Sequence, residues 1–222
     1  MSENLPLKRF ATSVTQPASL PRKSEKTRTA ILEAALEFVW DHPFRDMTVA
    51  SITSRTGISR SAFYQYFNDL HDLMEVLLRG LGHDILEVSA PWFHGEGDPL
   101  PLLKVSLGAL VQVCYERGPI VRAVSDAAPS DERLEKSWSN FLSGFDDIVA
   151  ARIKQHQDAG LIPMFDPHPV AVALNRMDAA LVIQSFGRRP QAEPRPVLET
   201  MIRIWSSTLY PNRTGSDPIQ EQ

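Results

Sequence analysis

The chain has 222 residues, 43% of them hydrophobic and 23% charged, and a net charge of −4. That is long enough to bury a core without disulfides or metals, and too mixed in composition for bulk disorder or a fibrous repeat. One cysteine, Cys114, cannot make an intramolecular disulfide, and there is neither a charged-then-apolar leader nor a run of eighteen uncharged apolar residues, so a cytoplasmic protein with no membrane span is expected. The charge is uneven: residues 1–70 hold nine basic against seven acidic side chains, residues 71–222 fourteen against twenty, and the first 28 residues six against two. The acidic average therefore does not exclude a nucleic-acid partner for the N-terminal part.

Residues 1–22 carry three prolines and no sustained apolar period and read as a flexible basic arm; residues 211–222 read as a flexible tail. Between them apolar residues recur at spacings of three and four, with Pro and Gly in the intervening turns, which predicts an all-α chain of about nine helices. The first helix is expected to be capped at Ser24 or Thr27 and to stop before Pro43. Thr48 then caps a short helix over 49–56, Gly57-Ile58-Ser59 makes a tight turn, and a third helix spans 60–67. Asn68 or Asp69 caps a long fourth helix with Leu73, Leu77, Leu81 and Ile85 on one side. Breaks at Pro91 and at residues 95–99 precede a helix over 100–117, and Gly118-Pro119 separates it from a short helix near 128. Three more helices follow, over about 131–159, 170–186 and 197–210. The expected organisation is a helix-turn-helix domain over 23–70 and a helical ligand-binding and dimerisation domain over 71–210.

Two short helices joined by a glycine turn can set one helix into a major groove while the other crosses the backbone. The third helix offers Arg60, Ser61, Gln65 and Tyr66, which can bond base edges or phosphates, while Ala62, Phe63 and Phe67 have inward spacing. Spacing alone is equally compatible with a structural three-helix bundle.

The segment from Thr48 through Gly57-Ile58-Ser59-Arg60-Ser61-Ala62-Phe63-Tyr64-Gln65-Tyr66-Phe67 closely resembles the DNA-binding domain of the TetR family of transcriptional regulators. That resemblance implies base contacts from Arg60, Ser61 and Gln65 and phosphate contacts from Thr48, Ser59, Tyr64 and Tyr66, with Thr27, Arg28 and Arg55 completing the DNA surface. The family usually has a lysine three residues after the closing phenylalanine; Leu70 stands there, so the basic arm is expected to take over that phosphate contact. Trp138-Ser139-Asn140-Phe141, Ala173-Leu174-Asn175-Arg176-Met177 and the stretch from Val197 to Trp205 extend the resemblance to one subgroup of that family, the ethionamide-resistance repressors.

The subgroup resemblance implies an elongated tunnel lined here by Leu103, Leu107, Leu110, Cys114, Trp138, Phe141, Leu142, Phe145, Asn175, Asp178, Ile183 and Trp205. Asp178 replaces a neutral amide, and Leu103 and Cys114 replace large aromatics, so a wider, more aliphatic chamber is expected. Independently of any family, Asn175 and Asp178 lie three apart on an otherwise apolar helix, where a polar pair needs a partner. Either they orient a hydrophobic or amphipathic effector with one polar group, such as a donor facing Asp178, or Asn175 bonds backbone and Asp178 faces solvent or a second subunit. The aromatic stripe by itself also fits ordinary core packing.

Val170, Val172, Leu174, Leu181, Val182, Leu198, Ile202 and Leu209 offer more apolar surface than one flank can bury. In the family the last two helices pair into a four-helix dimer interface. The functional expectation is a homodimeric repressor that binds a double-stranded palindromic operator and is released by a hydrophobic small molecule. Alternatives are a TetR-type activator, a DNA-silent homologue, or a helical enzyme with an apolar tunnel. No nucleophile, metal-ligand or phosphate-loop spacing supports catalysis, and no cofactor is expected. His71 and Glu75, four apart, are expected to be a surface pair rather than a metal site, and Cys114 a small buried residue rather than a redox sensor.

Overall fold

The structure, a computed structural model, describes residues 22–211. Residues 1–21 and 212–222, which hold nearly all of the expected arm and tail, lie outside the described residues. Nine α-helices and two 3-10 turns, with no strand, make up the described chain, so the all-α expectation is met.

Helix α1 (Arg22–Asp41) buries Ile31, Ala35, Phe38 and Val39, spaced as one face of a helix. It starts earlier than its expected caps: Ser24 lies inside it and donates its hydroxyl to Tyr66 Oη at 3.3 Å. Helix α2 (Val49–Thr56) opens on a reciprocal cap, in which Thr48 Oγ1 accepts from the Ser51 N–H and Ser51 Oγ accepts from the Thr48 N–H. Gly57 ends it at φ +70°, a conformation for which glycine has no steric cost. Ser59 caps α3 (Arg60–Tyr64), which is three residues shorter than expected. The Gln65 N–H bonds to the carbonyls of both Ala62 and Phe63, tightening the end and letting Phe67 fold back against Phe63, with ring centroids 5.8 Å apart.

Asp69 caps α4 (Leu70–Val88), whose buried side is Leu73, Met74, Leu78, Leu81 and Ile85. The expected break at Pro91 is instead the start of a short helix, α5 (Ala90–His94), because a proline in the first turn gives up an N–H that has no helical partner anyway. The largest departure is α6 (Pro99–Ala127), one continuous helix where two were expected. Pro119 sits inside it, and Gly118 lies so close to α8 (Pro167–Phe186) that a Cβ would stand 2.5 Å from the Phe186 carbonyl oxygen. Buried Ile120, Val121, Ala123 and Val124 hold the following turns in place, so tertiary packing offsets the local cost of the proline. The total of nine survives because this merger cancels the unexpected α5.

Helix α7 (Glu132–Asp158) is capped by Asp131, α8 by Asp166, and α9 (Pro194–Leu209) begins three residues before its expected start. Helix α6 runs through the middle of the molecule and packs against α1, α4, α5, α7, α8 and α9. The core continues without a gap from Ile31, Ile52, Phe63 and Phe67 at the N-terminal end to Met201, Trp205 and Leu209 at the other.

Candidate functional site

The turn between α2 and α3 presents Thr48, Arg55, Ser59, Arg60, Ser61, Tyr64 and Gln65 to solvent, while Phe63 and Phe67 are buried beneath them. The Arg60 guanidinium lies over the Tyr64 ring at 5.9 Å and the Ser59 and Ser61 hydroxyls are 2.9 Å apart. These contacts hold α3's polar groups on one side without burying them. The Arg55 and Arg28 guanidiniums lie over the Phe38 and Phe67 rings, 5.7 and 5.5 Å from the centroids, so each charge is held against an aromatic face of the N-terminal core. Tyr66 differs from expectation. It is half-buried at the junction of α1 and α3, with its hydroxyl taken by Ser24, because α3 ends before it. Thr27 is also half-buried, and Leu70 packs its side chain against the core at the start of α4.

A charged cluster joins the first turn of α4 to the first turn of α7. Arg133 bonds Asp69 at 2.7 Å and Glu75 at 3.4 Å, and His71 Nε2 meets Asp131 Oδ2 at 2.5 Å. The expected His71–Glu75 pair is thus replaced by two separate pairings. Burial works to raise the carboxyls of Asp69 and Asp131, but backbone N–H bonds and the facing Arg133 and His71 hold both below the usual carboxylate range. Among the described residues no group of three or more His, Cys, Asp or Glu is placed to hold a metal ion.

Between α4, α6, α7 and α8 lies a small cavity of about 60 Å³. Seven of the twelve expected lining residues border it: Leu110, Cys114, Phe141, Leu142, Phe145, Asn175 and Asp178. Leu103 and Leu107 are buried in the core away from it, Trp138 and Ile183 stand outside it, and Trp205 backs Asp178 rather than facing the space. Ile85, Val121, Ala179 and Val182 complete the wall. Of these, Ala179 and Val182 were readable, since they share with Asn175 and Asp178 the helical face spaced i, i+4 and i+7. The wide chamber is not found. Phe141 stacks on Trp138 with centroids 5.7 Å apart and meets Phe145 edge-on at 5.2 Å, so the α7 wall of the cavity is a packed aromatic cluster.

Asp178 does not face solvent. Its relative exposure is 8%, and both carboxyl oxygens share one donor, Trp205 Nε1, at 3.1 and 3.0 Å. Burial pushes this acid up to about 8, against the smaller opposing pull of the indole N–H. Cys114 is likewise buried, its thiol pushed up to about 12 by burial and by Asp178, which removes the thiolate a redox sensor needs. Asn175 bonds a side chain rather than backbone: Nδ2 donates to Asp146 Oδ1 at 2.9 Å, and Arg176 grips the same carboxylate with two bonds at 3.2 and 2.8 Å. Asp146 is buried and so anchors the polar end of the cavity wall.

On the outer face of the last two helices, Val170, Val172, Leu181, Leu198 and Ile202 are half-buried. Leu174, Val182 and Leu209 are already buried within the chain, so the apolar stripe left for a partner is narrower than the sequence implied. Among the described residues no helix is long and apolar enough to cross a membrane.

Comparison with known proteins places these features in one family. Residues 31–77 match the family model described as bacterial regulatory proteins, tetR family, and residues 103–211 match that of the C-terminal domain of the transcriptional regulator EthR. The HTH-type transcriptional regulator EthR of Mycobacterium tuberculosis is 27% identical over 212 residues, covering 90% of this chain and 98% of that one. EthR of Mycolicibacterium smegmatis is 24% identical over 189 residues, covering 82% and 85%. Among solved structures, GusR of Salmonella enterica superposes with a TM-score of 0.67 at 19% identity, over 88% of this chain and 98% of its own. A bacterial regulatory protein in the tetR family from Rhodococcus gives 0.68 at 16% identity, over 83% and 97%. The chain belongs to the TetR family of bacterial transcriptional regulators, with a C-terminal part of the EthR type.

Proposed function

We propose that this regulator is a cytoplasmic repressor that binds a palindromic operator as a homodimer and lets go when a hydrophobic small molecule enters the cavity. Residues 23–70 act as the reading head and residues 71–210 as the receiver. Arg60, Ser61 and Gln65 read base edges, and Thr48, Ser59 and Tyr64 hold phosphates, with Arg28 and Arg55 at the margins. The half-buried stripe of α8 and α9 pairs with its copy, which sets two reading helices one turn of DNA apart, roughly 34–36 Å.

The observation that carries the release step is that Ile85, on the wall of the cavity, belongs to α4, whose first residue, Leu70, is also the last residue of the reading head. A cavity of about 60 Å³ cannot hold an effector without widening, since ligand pockets run to roughly 300–1,000 Å³. An effector that enters must displace wall helices, and moving α4 changes the separation of the two heads. Effector and operator then weaken each other's binding reciprocally. An acid mostly protonated at neutral pH offers its O–H to an acceptor on the effector, so the polar group that Asp178 selects is an ether, ester or carbonyl oxygen rather than the donor expected from an ionised carboxylate. The test is effector-induced release from operator DNA, measured by anisotropy, for the parent and for Asn175→Ala and Phe145→Trp. Both variants are expected to shift the release curve, and an unchanged response in both overturns this placement of the effector.

A further inference from the structure

A second, larger cleft lies where the end of α1 meets the last turns of α6 and the loop after α8. Its volume is about 590 Å³, and its chemistry is opposite to that of the apolar cavity: Arg45, Arg122, Arg188 and Arg189 face it against only two carboxylates, Asp41 and Asp126. Arg189 is paired with Glu37 outside the lining, but Arg122 and Arg188 are poorly matched. Asp126 stands 3.8 Å from Arg122 and 3.6 Å from Arg188, so one carboxylate serves two guanidiniums, each beyond the roughly 2.7–2.9 Å of a charge-assisted hydrogen bond. Arg45 reaches only its neighbour Asp46, at 3.9 Å, among the described residues.

Arg122 is the unusual member. Its relative exposure is 5%; one terminal nitrogen donates to the Val39 carbonyl of α1, and its Nε has no partner among the described residues. Burial and the charge of Arg188 both push its pKa down. A buried guanidinium held without a matched carboxylate is costly, and a natural chain keeps such a group where something compensates it. One wall of the cleft is planar: Arg189, tied to Glu37 at 3.1 Å, lies over the Trp40 ring at 4.8 Å from its centroid, and Phe44 is close by. Neither the reading surface nor the effector cavity uses any of these groups.

We propose that this cleft is a second ligand site, for a small organic anion that carries a carboxylate or phosphate on a planar body. Arg122 supplies fixed charge at the floor, the exposed Arg45 and Arg188 close on the anion with paired N–H donors, and the Trp40–Arg189 stack lies along the planar body. Because the walls come from α1 and α6, an occupant fastens the reading head to the receiver and biases operator binding independently of the apolar cavity. The binding itself does not depend on the operator reading; only its effect on DNA affinity rests on it.

The test uses the full chain without DNA and titrates phenyl phosphate and benzoate by calorimetry at constant ionic strength, with benzamidine as a planar cation of similar size and inorganic phosphate as the anion without a ring. Saturable binding of phenyl phosphate or benzoate, at least tenfold tighter than benzamidine and inorganic phosphate, is expected. The double variant Arg45→Gln/Arg188→Gln, which changes two exposed side chains and leaves the core intact, is expected to weaken it at least tenfold, and Arg122→Met to abolish it. Equal binding of benzamidine, equal binding of inorganic phosphate, or unchanged affinity in the double variant overturns the proposal. A chain that binds an operator but none of these anions refutes this site alone. A chain that binds phenyl phosphate but no operator refutes the repressor reading and leaves the site standing.

Discussion

Replacing Asp178 with asparagine exchanges a buried acid for a neutral group of nearly the same shape, and the structure sets the size of the effect. Burial pushes this acid up to about 8 in the folded chain, from the ordinary aspartate value of 3.8. A folded-state pKa raised above the unfolded one means that the stability is fully present below pH 3.8 and is lost as pH rises through 8. At pH 7 the unfolded chain has given up its proton and the folded chain mostly has not. The cost is about three units at 1.36 kcal/mol each, or about 4 kcal/mol as a ceiling. Asparagine keeps an acceptor for Trp205 Nε1 but brings an amide N–H₂ with no partner in place, a penalty of about 1–3 kcal/mol. The variant is therefore expected to match or trail the parent at pH 4, to exceed it by about 1–3 kcal/mol at pH 7, and to gain little more above pH 8. Urea denaturation of both proteins at pH 4, 5, 6, 7, 8 and 9 measures the difference at each step. Parallel stability curves across that range refute the assignment of a protonated, desolvated Asp178.

Three further outcomes follow from the same structure. His156, buried with Nδ1 2.8 Å from Tyr210 Oη, is pushed down to about 4 by burial and by Arg152. Its folded pKa lies below its unfolded one, so stability is expected to fall by up to about 3 kcal/mol as pH drops from 6.5 to 4, and His156→Gln is expected to flatten that limb in denaturant titrations. Gly118→Ala puts a Cβ 2.5 Å from the Phe186 carbonyl oxygen; overpacking of this kind costs about 1–3 kcal/mol, readable as a lowered Tm, and an unchanged Tm contradicts the close approach of α6 and α8. Leu70→Lys is expected to steepen the salt dependence of operator binding by about one unit of slope, at some cost in stability from the apolar seat it vacates.

What could be read in the sequence was what the chain specifies locally. The Thr48 cap, the left-handed Gly57 and the Ser59 cap each depend on residues three or four positions away, so the turn between α2 and α3 and its exposed polar groups were legible. Pro119 misled because the contact that keeps α6 continuous is Gly118 against Phe186, nearly 70 residues on. Asp178 could be singled out as a polar residue on an apolar face, but its partner, Trp205, lies on another helix, and so its protonation did not follow from spacing. The cavity's narrowness was unreadable for the same reason: exchanging large side chains for Leu103 and Cys114 says nothing about how Phe141, Phe145 and Trp138 repack. The arginine cleft was invisible, since Arg45, Arg122, Arg188 and Arg189 meet only when α1, α6 and the loop after α8 are assembled.

In the proposed function the surface around α3 reads DNA. Footprinting of the purified protein on the region upstream of its own gene, across a salt series, tests it most directly. Protection of a palindrome with half-sites one helical turn apart, affinity that falls steeply with salt, and loss of about 1–3 kcal/mol in Arg60→Ala are the predicted result. A protein that protects no palindrome at low salt, or that binds as tightly and as selectively after Arg60→Ala, contradicts it.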